Sequence, residues 1–302
     1  MQLGMIGLGR MGGNMAERLM QGGHQVVAYD FNATAVQALE SKGATGASSI
    51  ADLAAKLDAP RAVWSMVPSG EATEQTVAAV GEALSSGDAI IDGGNSNYKD
   101  TMRRSAALQA KGIAYLDAGT SGGIWGLKGG YSLMVGGDRA TFDRLEPIFQ
   151  TLAPGVDKGY AHVGPSGSGH FVKMVHNGVE YGLMQAYAEG FQLLQAKEEF
   201  DLDLAGIAQV WRFGSVIRSW LLDRTADALA EDPRLEALEA YVEDSGEGRW
   251  MVKESVDLGV PAPVITLALQ ERFRSRQESS FADRLLAAMR QQFGGHAVRK
   301  AK

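Results

Sequence analysis

The first twelve residues, MQLGMIGLGRMG at positions 1–12, decide the fold of this 302-residue chain. The apolar run Met1–Ile6 has the length of a buried strand, and the glycine-rich segment GLGRMG follows it without a break. A helical pattern then leads to a second apolar run, residues 25–29, which ends at Asp30. A strand, a glycine turn, a helix and a strand with a terminal acid make the fingerprint of a Rossmann unit. The α/β class is therefore predicted for the N-terminal part of the chain.

The spacing of the glycines predicts a dinucleotide site. Gly7 permits the tight turn, Gly9 lets the backbone approach a pyrophosphate at the positive end of the helix, and Gly12 allows close helix–strand packing. Asp30 favours NAD over NADP, because its carboxylate accepts hydrogen bonds from both ribose hydroxyls and repels a 2′-phosphate. No arginine follows it to hold such a phosphate. The predicted NAD contacts are Gly7, Leu8, Gly9, Arg10, Met11, Gly12, Asp30, Phe31, Asn32, Val67, Pro68 and Asn95.

The alternation of strands and helices continues up to residue 163. Further strands are expected at 61–67, 89–92, 113–117, 132–135 and near 161–163. The segments 68–70, 93–96 and 118–123 are expected to be polar, glycine-containing loops at strand carboxyl ends, which line the ligand crevice in open α/β sheets. From residue 164 the periodicity is helical, and residues 169–197 could form one long helix. We therefore expect a Rossmann domain at 1–163 and an all-α substrate-binding and dimerisation domain at 164–302.

The composition is typical of a cytoplasmic enzyme. The chain has no cysteine, which excludes disulfides and thiolate metal sites, and its histidines have no spacing that suggests a metal. No signal peptide is expected, and no apolar run approaches the ~18 residues that span a bilayer. The formal net charge of −7 argues against nucleic acid as a partner. We expect no metal, no membrane and no nucleic acid.

A second informative stretch is HFVKMVHNGVEY at residues 170–181. On a helix, positions 173, 176, 177, 180 and 181 share one face, which carries an amine, an imidazole, a carboxamide, a carboxylate and a phenol. A stripe at this spacing is normally apolar, and a solvated face usually repeats Glu and Lys. The pattern therefore indicates an active-site wall. Lys173 is its one lysine, and a lysine can act as a general base when its pKa is lowered.

These strings together resemble the decarboxylating 6-phosphogluconate dehydrogenases. The resemblance rests on GLGRMG, IIDGGNSNYKDT, TSGG with SLMVGG after it, and GHFVKMVHNGVEYGLMQAYAEG. It continues through GEGRW, LGVPAPV and the terminal RQQFGGH, and so covers nearly the whole chain. Most members are longer, through a duplicated helical half, so this chain resembles the short bacterial type. Most also bind NADP through an arginine after the second strand, where this chain has Asp30 and Phe31.

The resemblance implies the oxidative decarboxylation of 6-phosphogluconate to ribulose 5-phosphate with reduction of NAD. Lys173 aligns with the family's catalytic lysine, which takes the hydroxyl proton and then stabilises the developing enolate. Glu180 aligns with the general acid, roughly 10 Å along the helix at 1.5 Å per residue. The implied substrate contacts are Asn95, Ser121, Gly122, Gly123, His176, Asn177, Tyr181, Arg249, Arg272, Arg290 and His296.

Part of this set concerns the phosphate and the assembly. Tyr181, Arg249 and Arg272 match the family's phosphate contacts. Arg290 and His296 match residues that reach the phosphate from the neighbouring subunit. The resemblance therefore implies a homodimer or tetramer in which the C-terminal tail completes the neighbour's site.

Two alternatives stay open at this point. A sibling β-hydroxyacid dehydrogenase, acting on a small acid such as 3-hydroxyisobutyrate, would share the fingerprint and Lys173 but would not need the cluster of Tyr181 and arginines. A catalytically silent NAD-sensing protein is the second alternative, and Lys173 and Glu180 on one helix face argue against it. Turnover with each substrate separates these hypotheses.

Overall fold

The computed structural model describes residues 1–299, so the last three residues of the expected second domain lie outside it. The strands are β1 Gln2–Ile6, β2 Gln25–Tyr29, β3 Thr45–Gly46, β4 Ala62–Ser65, β5 Ala89–Asp92, β6 Ala114–Ser121, β7 Ser132–Gly136 and β8 Tyr160–Gly164. The helices are α1 Arg10–Gln21, α2 Ala33–Glu40, α3 Ile50–Ala55, α4 Glu71–Ala83, α5 Tyr98–Gln109, α6 Gly126–Gly129, α7 Arg139–Leu152, α8 Ser168–Ala196, α9 Leu204–Arg212, α10 Trp220–Glu231, α11 Glu247–Asp257, α12 Pro263–Arg274 and α13 Phe281–Gly294.

The chain divides into two compact units, Met1–Asn177 and Gly178–Lys302, with the division inside α8. The first unit contains the whole sheet and the second is helical. The Rossmann domain followed by a helical domain, which the sequence predicted, is therefore confirmed. The domain boundary expected between residues 163 and 164 stays a prediction.

The sheet of the first unit has the strand order β3-β2-β1-β4-β5-β6-β7-β8. Neighbouring strands are parallel except β6 and β7, which run antiparallel. The order reverses between β1 and β4, so the loops after these strands lie at a switch point, where open α/β sheets bind ligands. This places the glycine turn after β1 beside the loop after β4.

Two strand ends differ from the expectation. The expected strand at 61–67 is shorter, and β4 ends at Ser65. The segment 118–123 was expected to be a loop, but β6 continues through Ser121, whose register partner is Ser132 on β7. The reason is that the small and polar residues after Asp117 pair with the antiparallel strand β7. The glycine in this segment therefore does not end the strand.

The core of the first unit follows the two faces of the sheet. One face buries Leu3 and Met5 with side chains from α1 and α7, and the other buries Ile6 and Val63 with side chains from α3 and α4. Buried strands with helices on both faces are normally apolar throughout, which explains the near-continuous apolar runs in the sequence. The sheet is thereby a rigid support for the loops at its carboxyl edge.

The second unit is built on α8 to α13. Phe191 on α8 packs with Leu222 and Leu229 on α10, while Tyr181 on α8 packs with Leu269 on α12. Long helix α8 matches the expected 169–197 to within one residue at each end. Within the described residues, α13 buries none of its side chains, although it carries several apolar ones. None of the described helices is long and apolar enough to cross a membrane.

Candidate active site

The glycine turn after β1 has the geometry that a pyrophosphate requires. Gly7 has φ +86°, a left-handed conformation that favours glycine, and a Cβ there would lie 2.6 Å from the carbonyl oxygen of Met66. A Cβ at Gly12 would lie 1.9 Å from the carbonyl oxygen of Gly7, so this glycine lets α1 pack on the turn. At Gly9 a Cβ would meet no atom within 4 Å. The space above the first turn of α1 is therefore open to a ligand.

Asp30 is held in place by the backbone on both sides. Its Oδ2 accepts from the N–H of Leu8 at 2.6 Å, and its Oδ1 accepts from the N–H of Asn32 at 2.8 Å. Asn32 in turn caps α2, since its side chain accepts from the N–H of Thr34 at 3.0 Å. The carboxylate at the end of β2 is thus fixed beside the glycine turn, as a ribose-binding acid must be.

Phe31 extends this site. Its side chain is 89% exposed, and its ring lies 5.9 Å from that of Tyr29 in an edge-on arrangement. Both rings line a cavity of about 650 Å³ between the end of β2 and helices α3 and α4, with Ile50 and Thr76 on its walls. Ligand cavities commonly combine apolar walls with a few polar groups, so this cavity fits the adenine end of a dinucleotide.

The loops after β4 and β5 lie against each other. A Cβ at Gly94 would lie 2.8 Å from the carbonyl oxygen of Val67, which shows how closely the two loops pack. Pro68 is exposed, and its carbonyl oxygen accepts from the hydroxyl of Thr73 at 2.8 Å. Asn95 is exposed between buried neighbours. The structure thus groups Val67, Pro68 and Asn95 at one edge of the sheet.

The TSGG segment lies at the end of β6. Ser121 is the last residue of the strand, and Gly122 has φ +132°, which a residue with a side chain rarely adopts. Gly123 then opens a single 3-10 turn and is exposed. The backbone turns sharply away from the sheet here, so its N–H and C=O groups are accessible beside the strand end.

Lys173, His176 and Asn177 form one hydrogen-bonded group on α8. The ammonium of Lys173 donates to the Oδ1 of Asn177 at 2.7 Å, and the Nδ1 of His176 donates to the same oxygen at 3.1 Å. Lys173 and Asn177 are only 6% and 8% exposed. A helix face that buries an amine and a carboxamide is organised for chemistry or binding rather than for solvation. The shared helix face predicted from the sequence is confirmed for these three residues.

Strand β6 has a glycine, Gly119, at the point where Lys173 lies against it, and this sets the position of Lys173. A Cβ at Gly119 would lie 2.5 Å from the Cβ of Lys173 and 2.6 Å from the carbonyl oxygen of Gly169. A Cβ at Gly169 would lie 2.2 Å from the carbonyl oxygen of Asp117. The helix therefore rests directly on the strand backbone, and this close approach sets the depth of Lys173. Sequence analysis missed both glycines.

The second unit brings together the residues expected to bind phosphate. The guanidinium of Arg272 lies 3.6 Å from the ring centroid of Tyr181, in a cation–π contact, and donates to the carbonyl oxygen of Glu243 at 2.7 Å. The N–H of Ser245 donates to the hydroxyl of Tyr181 at 3.2 Å. The guanidinium of Arg249 lies 4.4 Å from the ring of Phe273. Arginine, tyrosine and serine around one loop are suited to an anion.

Asp244, which sequence analysis missed, organises this cluster. Its carboxylate accepts from the Nε and Nη2 of Arg249 at 2.7 and 3.1 Å, and from the Nη2 of Arg276 at 2.7 Å. These hydrogen bonds, that of Arg249 first, lower the pKa of Asp244 to about 2. The carboxylate therefore stays charged and fixes Arg249 in a bidentate geometry.

Three further predicted residues lie elsewhere in the second unit. Glu180 is half-buried on α8, two positions after the start of this unit. Arg290 lies on α13 and is exposed, and His296, also exposed, stacks edge-on against Phe293 at 6.3 Å. The assignment of Arg290 and His296 to a neighbouring subunit's site stays a prediction, as does the role of Glu180. Among residues 1–299, no group of three or more His, Cys, Asp or Glu side chains is arranged to hold a metal.

Comparison with known proteins decides the family. Residues 2–164 match the NAD binding domain of 6-phosphogluconate dehydrogenase, and residues 185–302 match the C-terminal domain of 6-phosphogluconate dehydrogenase. The chain belongs to the 6-phosphogluconate dehydrogenase family. The resemblance drawn from the sequence motifs is thereby confirmed, as is the expectation of a dehydrogenase with an NAD-binding domain.

Individual relatives agree with the family assignment. An NAD(+)-dependent, decarboxylating 6-phosphogluconate dehydrogenase from Haloferax volcanii is 47% identical over 299 residues, which are 99% of this chain and 98% of the relative. The structure of 6-phosphogluconate dehydrogenase from Plasmodium falciparum superposes with a TM-score of 0.84 at 27% identity, over 97% of this chain and 65% of that one. A 3-hydroxyisobutyrate dehydrogenase from Mycobacterium tuberculosis, at 24% identity and a TM-score of 0.73 over 90% of this chain and 92% of that one, shares the fold.

Gly119→Ala tests whether the strand sets the position of Lys173. The new methyl group meets backbone and a helix-bound Cβ, so we expect the unfolding free energy to fall by about 1–3 kcal/mol. We also expect lower dehydrogenase turnover, measured by NADH absorbance, because Lys173 is displaced. Gly129→Ala is the matched control, since a Cβ there meets no atom within 4 Å. Equal stability and turnover in both variants would contradict the close approach.

Asp244→Asn tests the anchor of the arginine cluster through pH. The folded-state pKa of about 2 lies below the unfolded value of ~3.9, so the stabilisation is full above that value and is lost as pH falls through the folded pKa. At pH 7 we expect the variant to be less stable by about 2 kcal/mol. The difference from wild type, measured by urea unfolding, should shrink steadily as the pH falls below ~4. Asp227→Asn, in an exposed pair with Arg224, should change little at any pH. A pH-independent difference for Asp244→Asn would contradict the anchor.

Proposed function

We propose that the protein oxidises and decarboxylates 6-phosphogluconate to ribulose 5-phosphate and CO2, with NAD as hydride acceptor. The observation that carries the choice of substrate is the cluster of Tyr181, Arg249 and Arg272 in the second unit. A phosphorylated sugar acid needs such an anion site, and an unphosphorylated acid does not. The 47% identical relative, named as an NAD(+)-dependent decarboxylating enzyme, supports the same reaction.

The residues of the first unit fit NAD. The open space above Gly9 takes the pyrophosphate, and Asp30 accepts from the ribose hydroxyls. Phe31 and the cavity beside it receive the adenine. NAD supplies the site that accepts the hydride from carbon 3 of the substrate. Asp30 disfavours NADP, because its carboxylate would face the 2′-phosphate at close range.

Lys173 acts in the first two steps of the proposed reaction. Its neutral amine takes the proton of the carbon 3 hydroxyl as the hydride leaves. The resulting ammonium then donates a hydrogen bond to the keto oxygen and stabilises the enolate as the bond to CO2 breaks. The Oδ1 of Asn177 accepts a hydrogen bond from the same amine at 2.7 Å, and this contact limits the rotamers of Lys173. His176, Asn95 and the backbone at Ser121, Gly122 and Gly123 bind the hydroxyls and the carboxylate.

Glu180 completes the reaction by protonating the enolate at the carbon that has lost CO2, and this carbon becomes carbon 1 of the ketose. This role follows from its alignment with the family's general acid. A second group is needed because the lysine remains hydrogen-bonded to the oxygen on the adjacent carbon. The pair of roles also argues against a catalytically silent protein, which would have no use for either group.

The tail is proposed to act in a second copy of the chain. Helix α13 exposes Phe281, Leu285, Met289 and Phe293 at a spacing of four, and none of its side chains is buried in its own chain. An apolar stripe of this kind marks a protein–protein contact. Arg290 and His296 would accompany the stripe and add positive charge to the neighbour's phosphate site. This assigns the protein a homo-oligomeric state.

The 3-hydroxyisobutyrate dehydrogenases are the second candidate function, because they share the fold. We expect 6-phosphogluconate to be turned over at least ~100-fold more efficiently than gluconate or 3-hydroxyisobutyrate, since a site built to bind a charged group discriminates strongly against acids that lack it. Steady-state kinetics with all three acids and NAD decides between them. Lys173→Met controls for contaminating activity. Faster turnover of 3-hydroxyisobutyrate would overturn the proposal.

Arg272→Met tests the phosphate site directly. Loss of a charge-assisted contact is worth ~1.5–3 kcal/mol, so KM for 6-phosphogluconate should rise about 10- to 150-fold. Activity on gluconate, which has no phosphate, should change little. Arg274→Met is the matched control on the same helix, because Arg274 is exposed and pairs with Asp283. A similar loss on both substrates would assign Arg272 a structural role.

The cofactor preference rests on Asp30. We expect NAD to be preferred over NADP by at least ~100-fold in kcat/KM. Replacing Asp30 by Ser together with Phe31 by Arg should narrow or invert this ratio, because a repulsive carboxylate is lost and a guanidinium is gained. KM for 6-phosphogluconate should remain nearly unchanged. If wild type used both cofactors equally, the role of Asp30 would be wrong while the dehydrogenase assignment would remain.

A further inference from the structure

Two buried aspartates stand side by side in the sheet, one at the end of β5 and one within β6. Asp92 and Asp117 are partners in the strand register and are 1% and 0% exposed. Neither has a role in the proposed reaction. Burying a carboxylate is costly unless it is hydrogen-bonded, so the groups that each one binds identify what it holds in place.

Asp92 holds the loop that presents Asn95. Its Oδ1 accepts from the N–H of Gly94 at 3.1 Å, and its Oδ2 accepts from the hydroxyls of Ser96 and Tyr115 at 2.7 and 2.8 Å. Burial, with the nearby charge of Asp92, raises the pKa of Tyr115 well above its usual value, so this hydroxyl stays a donor. The loop is thus fixed on both sides of the exposed Asn95.

Asp117 holds the first turn of α8. Its Oδ1 accepts from the N–H of Gly167 at 2.8 Å, and its Oδ2 accepts from the N–H of His170 at 2.9 Å. These are donors that have no partner within the helix. The carboxylate therefore fixes the start of the helix one turn before Lys173.

The side chain of His170 joins these two structures. Its Nε2 lies 3.1 Å from the carbonyl oxygen of Asp92, and its Nδ1 lies 2.7 Å from the hydroxyl of Thr101 on α5. A carbonyl oxygen only accepts, so Nε2 carries a proton, and in the neutral ring Nδ1 accepts from Thr101. The imidazole is 2% exposed and is on the same helix as Lys173, three residues before it.

We propose that His170 is a positioning residue that keeps Asn95 and Lys173 in a fixed relation within the first unit. It ties the last residue of β5, where the loop begins, to the first turn of α8, and Thr101 ties it to the helix that follows the loop. The proposal rests on the proposed function, which assigns Asn95 and Lys173 to the substrate. A displacement near 1 Å lowers turnover by up to about 100-fold, so such a junction is functional as well as structural.

Two substitutions at His170 separate its two hydrogen bonds. His170→Asn places a polar atom near the position of Nδ1 and keeps the contact with Thr101, but it does not reach Asp92. His170→Gln reaches the Asp92 carbonyl with an N–H and gives up the contact with Thr101. If the link to Asp92 positions the loop, His170→Gln should retain most of the activity that His170→Asn loses.

We expect His170→Asn to lower kcat by about 10- to 100-fold, while KM for 6-phosphogluconate and Kd for NAD stay within about threefold of wild type. If His170 had only a structural role, the variant would contain less folded enzyme, but kcat per folded molecule would stay near the wild-type value. The matched control is His24→Asn, at the turn before β2, where the imidazole lies 2.8 Å from the hydroxyl of Thr151. That variant should keep the wild-type kcat.

Hydrogen exchange gives a readout that does not depend on activity. In His170→Asn, the peptide that covers residues 93–98 should exchange faster than in wild type, and in His24→Asn it should not. If neither His170 variant folds, Thr101→Val is measured instead, because it removes the hydroxyl that contacts His170. We then expect smaller changes of the same kind in kcat and in the exchange of residues 93–98.

Two results would overturn the positioning role: a kcat within about twofold of wild type in folded His170→Asn, or unchanged exchange at residues 93–98. A wild type that does not oxidise 6-phosphogluconate would instead overturn the proposed function, and the exchange experiment would still decide the role of His170.

Discussion

The chemistry of the first unit depends on the backbone contact between β6 and the first turns of α8. At Gly119 and Gly169 there is no room for a side chain, and the Cβ of Lys173 lies directly over the strand. Asp117, on β6 two residues before Gly119, accepts hydrogen bonds from backbone N–H groups at the start of α8 that have no partner within the helix. The amine of Lys173 is therefore held by a helix that is seated on a rigid sheet rather than on a loop. In its proposed role as a base, an amine placed in this way needs little reorganisation when the substrate binds.

Buried carboxylates organise both units, although the proposed substrate is anionic and the chain carries a net charge of −7. Asp92 and Asp117 accept hydrogen bonds from backbone N–H groups and hydroxyls and so fix a loop and a helix start, and Asp92 also lies 3.9 Å from the buried guanidinium of Arg104. Asp244 instead binds Arg249 and Arg276, and it orders two guanidinium groups while it neutralises part of their charge. Arg272 donates to a backbone carbonyl and stacks on Tyr181, so it keeps its full charge for an anion. The arrangement separates the groups that order the cluster from the group that attracts the ligand.

The local patterns were sufficient to predict the fold, because strands such as β1, β2 and β5 are apolar runs that end at, or directly before, a glycine or an acid. The shared face of Lys173, His176 and Asn177 also followed from helical spacing alone. The end of β6 was not predictable in this way, since polar residues after Asp117 form a strand only through pairing with β7. Asp92, His170 and Asp244 were missed for the same reason. Their partners lie 2 to 78 residues away in the sequence, so a single sequence gives no pattern for such contacts. An acid at the end of an apolar run is the one local signal, and both Asp92 and Asp117 carry it, although β6 continues beyond Asp117 to Ser121.

The two units differ in what they contribute to specificity. In the proposed function, Lys173 and Asn177 bind a hydroxyl and a carboxylate, which every β-hydroxy acid offers, so these groups alone cannot select a phosphorylated substrate. In the proposed function, Arg249 and Arg272 bind an anion that only some of these acids carry. A β-hydroxyacid dehydrogenase that acts on a smaller acid can therefore share the fold and the lysine while it lacks the arginines. The proposed function therefore implies that a change of substrate requires substitutions in the second unit, at Arg249, Arg272 and the loop that holds them, and leaves the strand and helix contact under Lys173 unaltered.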